Sequence, residues 1–193
     1  MEKVKTEKSK KRIVLALILI ALVIAIECVV QYFKIAIIVV PLSLALVPII
    51  VGAATFGPLF GAFIGLLYGI IFFDFHLETF LYEMHHLFIL GILLKGVIVG
   101  LVSGLIYKRI AKKKPLLASI ISSAVSTILN GVMLIIGYVV LIASLATSNE
   151  SLAEHMANLS YVSAMSLPGI MLELVICVLL CPILIAIFNK IKR

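Results

Sequence analysis

The chain has 193 residues, of which 64% are hydrophobic and 13% charged, whereas ordinary soluble domains hold ~45–50% apolar and ~25% charged residues. This excludes a soluble globular fold, and at ~20 apolar residues per crossing the length accommodates about six or seven membrane helices and no separate catalytic or nucleotide-binding domain. The net charge of +7 arises from sixteen basic residues in short runs beside apolar segments. They form no long stripe suited to nucleic acid, so they read as orientation signals and nucleic acid is not an expected partner.

Residues 1–12 are a basic segment carrying Lys3, Lys5, Lys8, Lys10, Lys11 and Arg12. The apolar run that follows, 13–33, exceeds the ~7–15 residues of a secretory signal core. It continues through Glu27, Cys28 and Gln31 with no cleavage site, so a retained first membrane helix is expected. A connection around Lys34 and Pro41 leads to a short second span, 42–54, and the Thr55, Phe56, Gly57 turn to a short third span, 58–73. The polar stretch 74–86 precedes span four, 87–107, and the basic loop Lys108, Arg109, Lys112, Lys113, Lys114 and Pro115 precedes span five, 116–146. Residues 147–160 read as a surface helix and 161–189 as span six, before the tail with Lys190, Lys192 and Arg193. The expected fold is an all-α integral membrane protein: one six-helix transmembrane domain, 13–189, between a basic N-terminal segment, 1–12, and a basic tail, 190–193. The alternating ~10-residue strands of a membrane β-barrel are absent.

Basic residues gather on the cytoplasmic side of membrane helices. With six spans, the N-terminal segment, the loop between spans four and five and the tail all fall on one side. The other side receives Asp74, Glu78, Glu83, Glu150 and Glu154, with Lys34 its single basic residue. Both termini are therefore expected in the cytoplasm of a multi-pass protein of the cell membrane.

Small residues recur every four positions: Ala21 and Ala25 in span one; Gly57, Gly61, Gly65 and Gly69 along span three; Gly96, Gly100 and Gly104 in span four. Residues four apart share a helix face, and such faces let helices approach closely in lipid. Internal packing and docking of a separate membrane subunit both remain open for each ridge.

Ionisable groups inside spans are costly and face a cavity, a partner or one another. Glu27, Lys95 and Glu173 are such groups, joined by the neutral Asn130. At ~1.5 Å per residue they lie about 10, 15, 18 and 24 Å from the outer ends of their spans, respectively. One reading is a self-neutralising Lys95 to Glu173 pair that orders the bundle. The other makes Lys95 the partner of an anionic ligand group, Asn130 a hydrogen-bonding fixer, and Pro168 with Gly169 a kink that frees carbonyls for the ligand. The outer stretch 74–86, with Tyr82 and His86, is expected to act as a lid, ahead of a plain solvated loop or a metal site. Cys28, Cys177 and Cys181 lie in apolar runs with no further ligand set. No metal, cofactor or catalytic residue is expected, and no G-x-x-x-x-G-K-[ST] phosphate loop occurs.

Together, the six spans, the pair Ala21 and Ala25, the block Val-Pro-Ile-Ile-Val-Gly-Ala-Ala-Thr-Phe-Gly-Pro-Leu-Phe-Gly-Ala-Phe-Ile-Gly at 47–65, the run Leu-Lys-Gly-Val-Ile-Val-Gly-Leu-Val-Ser-Gly-Leu-Ile-Tyr-Lys at 94–108 and Asn130 resemble the substrate-binding S component of energy-coupling factor (ECF) vitamin importers. The resemblance covers nearly the whole chain. It implies capture of a water-soluble vitamin from outside, with pantothenate the nearest impression and riboflavin or another vitamin as alternatives. It also implies work with an ECF module, made of a membrane coupling subunit and two cytoplasmic ATPases. In that family the alanine face of span one meets the coupling subunit, which carries over to Ala21 and Ala25, and Gly57 and Gly61 are further docking candidates. The ligand pocket lies near the outer ends of spans four to six. The N-terminal histidine of the family's cobalt and nickel branch has no counterpart here, where the segment is rich in lysine. The alternative reading is a stand-alone secondary transporter with Glu27 and Glu173 as ion carriers, although the inverted repeats common in such folds are not evident.

Overall fold

Residues 2–32, 43–75, 86–145 and 152–192 are described by a computed structural model, and among them there are six helices and no strand. In chain order they are α1 Glu2–Tyr32, α2 Leu46–Phe56, α3 Pro58–Phe75, α4 His86–Ile110, α5 Pro115–Leu145 and α6 Leu152–Lys192. Ser9–Val30, Pro115–Gly137 and Leu167–Lys192 are each long and apolar enough to cross a membrane. In α4 the apolar sequence is interrupted by Lys95 and ends in Lys108 and Arg109.

Helix α2 differs in kind. Its 11 residues span about 16 Å, half of a ~30 Å hydrocarbon core. Residues 46–53 are all buried, as expected of a helix that is apolar all round. It belongs to one packed core with Leu19 and Val23 of α1, Ile64 and Tyr68 of α3, Val99 of α4 and Cys177, Cys181 and Ile185 of α6. The second span is thus displaced from the expected 42–54 and is an internal element. It ends at Gly57, whose φ of 108° is a conformation open to glycine and strained for other residues. Pro58 follows at the first position of α3, where its missing N–H costs nothing.

The glycine ridges of α3 and α4 face each other. A Cβ on Gly65 would lie 2.0 Å from the Gly96 carbonyl oxygen, and one on Gly100 would lie 2.1 Å from that of Gly61. Gly104 closes on Pro58 in the same way. The two backbones touch, which is how helices associate where lipid removes the drive to bury apolar surface. Among the described residues, this leaves α1 as the helix with an open small-residue face. Leu15, Leu19, Val23 and Glu27 form its buried stripe, and Ala21 and Ala25 are exposed beside Leu17, Ile18, Leu22 and Ile24.

One expectation about α6 needs correction. Its described part starts at Leu152 and continues without a break, so residues 152–160 belong to the last helix and do not form a separate one. The helix also passes through Pro168 and Pro182 unbroken, because neighbouring helices tolerate proline within a membrane bundle. Leu167 and Pro168 are exposed. Pro168 has no N–H to give the preceding turn, so the carbonyl four residues before it lacks its usual helical donor although the helix continues.

The basic segments gather at one end of the bundle. Asn189 Nδ2 donates to the Tyr107 hydroxyl at 3.1 Å, tying the end of α6 to that of α4. Lys192 Nζ donates to the Thr55 carbonyl and sits 5.0 Å from the Phe56 ring centroid, tying α6 to the α2–α3 turn. A cavity lined by Arg12, Pro115 and Lys190 joins the apolar boundaries of α1, α5 and α6.

Candidate functional site

Four polar side chains from four helices converge inside the bundle: Glu27 of α1, Lys95 of α4, Asn130 of α5 and Glu173 of α6, the last 2% exposed and Lys95 9%. Each is carried on the inner face of its helix by apolar neighbours one turn away. Glu27 continues the Leu15, Leu19, Val23 stripe, Lys95 precedes the buried Gly96 and Val99, and Glu173 precedes the buried Cys177 and Cys181.

Asn130 Nδ2 donates to Glu173 Oε1 at 3.0 Å, and the Ser43 backbone lies near enough to stabilise the charge of the same carboxylate. Lys95 is held differently. Among the described residues its ammonium meets the face of Tyr68, 5.9 Å from the ring centroid, and feels the charges of Glu173 first and Glu27 second. The Tyr68 hydroxyl accepts from Ser43 Oγ at 3.1 Å, so the segment before α2 supplies two of the polar contacts.

Glu27, Lys95, Asn130 and Glu173 are therefore brought together. Tyr82 lies outside the described residues, and His86 opens α4 without a described side chain. Among the docking candidates, Gly61 is taken by internal packing, its added Cβ lying 2.4 Å from Ala53 Cβ. Gly57 forms the α2–α3 turn. Gly57 has open space where a Cβ would stand, and Ala21 and Ala25 are exposed. Cys177 and Cys181 are buried free thiols.

Sequence reasoning missed Ser43 and Tyr68, and it also missed a polar file on α5. Ser119, Ser122, Ser123, Ser126, Thr127 and Asn130 are all buried at the spacing of one helix face. Ser123 Oγ donates to the Ser119 carbonyl at 2.8 Å and Thr127 Oγ1 to that of Ser123 at 3.0 Å. Ser122 Oγ crosses to the Ser103 carbonyl of α4 at 2.8 Å. The periodicity was visible in the sequence. The interrupting signal was that serine and threonine in a membrane helix can satisfy their hydroxyls on the preceding turn and so need no partner.

A family model described as "ECF transporter, substrate-specific component" matches residues 15–186. No curated protein and no solved structure matches the chain. The matched segment takes in α2 to α5 whole, most of α1 and α6, the buried polar cluster and the open face of α1. The chain belongs to the substrate-specific components of ECF transporters, membrane subunits that bind a small-molecule substrate for the ECF module and are not themselves enzymes.

Proposed function

We propose that this subunit captures a water-soluble vitamin bearing a carboxylate, with pantothenate the leading candidate and riboflavin or another vitamin the alternative. It delivers the vitamin through an ECF module driven by two cytoplasmic ATPases. The observation that carries the substrate reading is the unequal partnering within the buried cluster. Glu173 accepts from Asn130, while among the described residues the Lys95 ammonium is met by the Tyr68 ring. A buried ammonium gains more from a carboxylate than a solvated one does. In this reading Lys95 binds the ligand's anionic group, Asn130 and Glu173 bind its amide or hydroxyl groups, and Glu27 balances the charge of Lys95. Tyr82 and His86 belong to the outer segment that covers the ligand.

The exposed Ala21 and Ala25 face of α1 is the proposed docking surface for the coupling subunit. Both termini are proposed to be cytoplasmic, since the basic segments lie at one end of the bundle and basic residues favour that side. Reconstitution tests the scheme. Liposomes holding this chain together with the coupling subunit and ATPases should accumulate labelled pantothenate only with ATP inside. Uptake by this chain alone, abolished by a protonophore, would instead establish the ion-coupled transporter.

A further inference from the structure

At the basic end, away from the buried cluster, a partly open cavity of about 840 Å³ lies between α1, α4, α5 and α6. Ligand pockets commonly measure ~300–1,000 Å³. Its walls include Arg12, Lys190, Lys192, Asn189, Tyr107 and Ser119, and among the described residues no acidic side chain lines it. Arg12 and Lys192 are close enough for each to feel the other's charge. Gathering like charges without a counterion is unfavourable, and an anion in the cavity would reverse the sign of the effect.

Tyr107 provides an independent indication. It is 9% exposed, and its hydroxyl accepts from Asn189 Nδ2, leaving its own proton free to donate into the space it lines. Lys192 is already committed to the Thr55 carbonyl and the Phe56 ring, so Arg12 and Lys190 are the cations free to move onto an anion. Both are exposed.

Depth selects the source of the anion. Arg12 immediately precedes the apolar part of α1, Pro115 opens α5, and Lys190 follows the apolar part of α6. All three therefore mark the level where the bundle passes from hydrocarbon to headgroups. The cavity wall at that level includes Leu116, 66% exposed, and α6 continues away from it with the exposed Ile183 and Ile187. A phosphate in the cavity would have apolar helix surface beside it for acyl chains. Basic pockets between membrane helices on the charged side commonly hold such headgroups.

We propose that this cavity binds the phosphate headgroup of an anionic phospholipid, with Arg12, Lys190 and the Tyr107 hydroxyl as its ligands. The site is separate from the vitamin site and rests only on the chain spanning a membrane.

The test is native mass spectrometry of the full chain in neutral detergent, titrated with dioleoyl phosphatidylglycerol, dioleoyl phosphatidylcholine or glycerol 3-phosphate. Phosphatidylglycerol should bind about tenfold or more tightly than phosphatidylcholine. The pair Arg12→Gln and Lys190→Gln should abolish most of that preference, while Lys112→Gln with Lys113→Gln, exposed on the α4–α5 turn, should leave it intact. Should the cavity pair fail to fold, Arg12→Gln alone, on the exposed start of α1, should still reduce the preference severalfold. Equal binding of the two lipids would overturn the proposal. So would equal loss in both variant pairs, which would indicate diffuse surface charge, or competition by glycerol 3-phosphate at the lipid's own affinity, which would indicate a soluble anion. Loss of coupling-subunit assembly in the cavity pair without a lipid preference in the parent would reassign the cavity to protein docking.

Discussion

Buried polar residues carry the specific content of this bundle, and they are not equivalent. Asn130 makes the direct contact with Glu173, so Asn130→Leu leaves a buried carboxylate short of a donor. Such a loss costs about 1–2 kcal/mol, allowing for the weaker hydrogen bonds measured in membrane proteins. A lowered melting temperature of the detergent-solubilised variant is expected, together with weakened vitamin binding. An unchanged melting temperature would mean that Glu173 finds another donor. Glu27, Lys95, Asn130 and Glu173 could be selected from sequence because ionisable or amide groups stand out in apolar runs. Ser43 and Tyr68 could not. One lies before the displaced start of α2, and the other reads as an ordinary apolar-face aromatic until its hydroxyl is seen to accept from Ser43.

Among the helices, the glycine spacing identified small-residue faces but not their partners, because an every-fourth-residue ridge has the same pattern whether its neighbour is internal or external. The contact of Gly65 with Gly96 and of Gly61 with Gly100 makes two of those faces a single internal seam. Gly65→Ala should therefore force the α3 and α4 backbones apart, at a cost of about 1–3 kcal/mol or more. A variant that melts like the parent would contradict the seam. Ala25→Leu falls on an exposed face and should leave melting and vitamin binding near the parent values while impairing co-purification with the coupling subunit. Intact assembly would remove the α1 face from the docking interface. Helix boundaries were legible to within a few residues for α3, α4 and α5. Helix α2 was displaced because the apolar sequence 35–40 before it hides where the helix begins.

For the molecule as a whole, composition and the placement of basic runs were enough to indicate a helical membrane protein with its basic segments at one end. The ties from Asn189 to Tyr107 and from Lys192 to Thr55 draw those segments together. If that end is cytoplasmic, a cysteine replacing Lys113 should react with an impermeant maleimide only after cells are opened; labelling of intact cells would invert the topology. The substrate was not legible, since one lysine and two carboxylates can serve several small hydrogen-bonding ligands. The central claim is that the buried cluster, through Lys95, holds the carboxylate of a vitamin. Calorimetric titration of the purified chain with pantothenate and a panel of other vitamins tests it most directly, with Lys95→Ala measured in parallel. Saturable binding of a carboxylate vitamin by the parent is expected, with a loss of about tenfold or more in the variant, as for a buried charge-assisted contact. Undiminished affinity in Lys95→Ala, or binding confined to ligands without an anionic group, would contradict it.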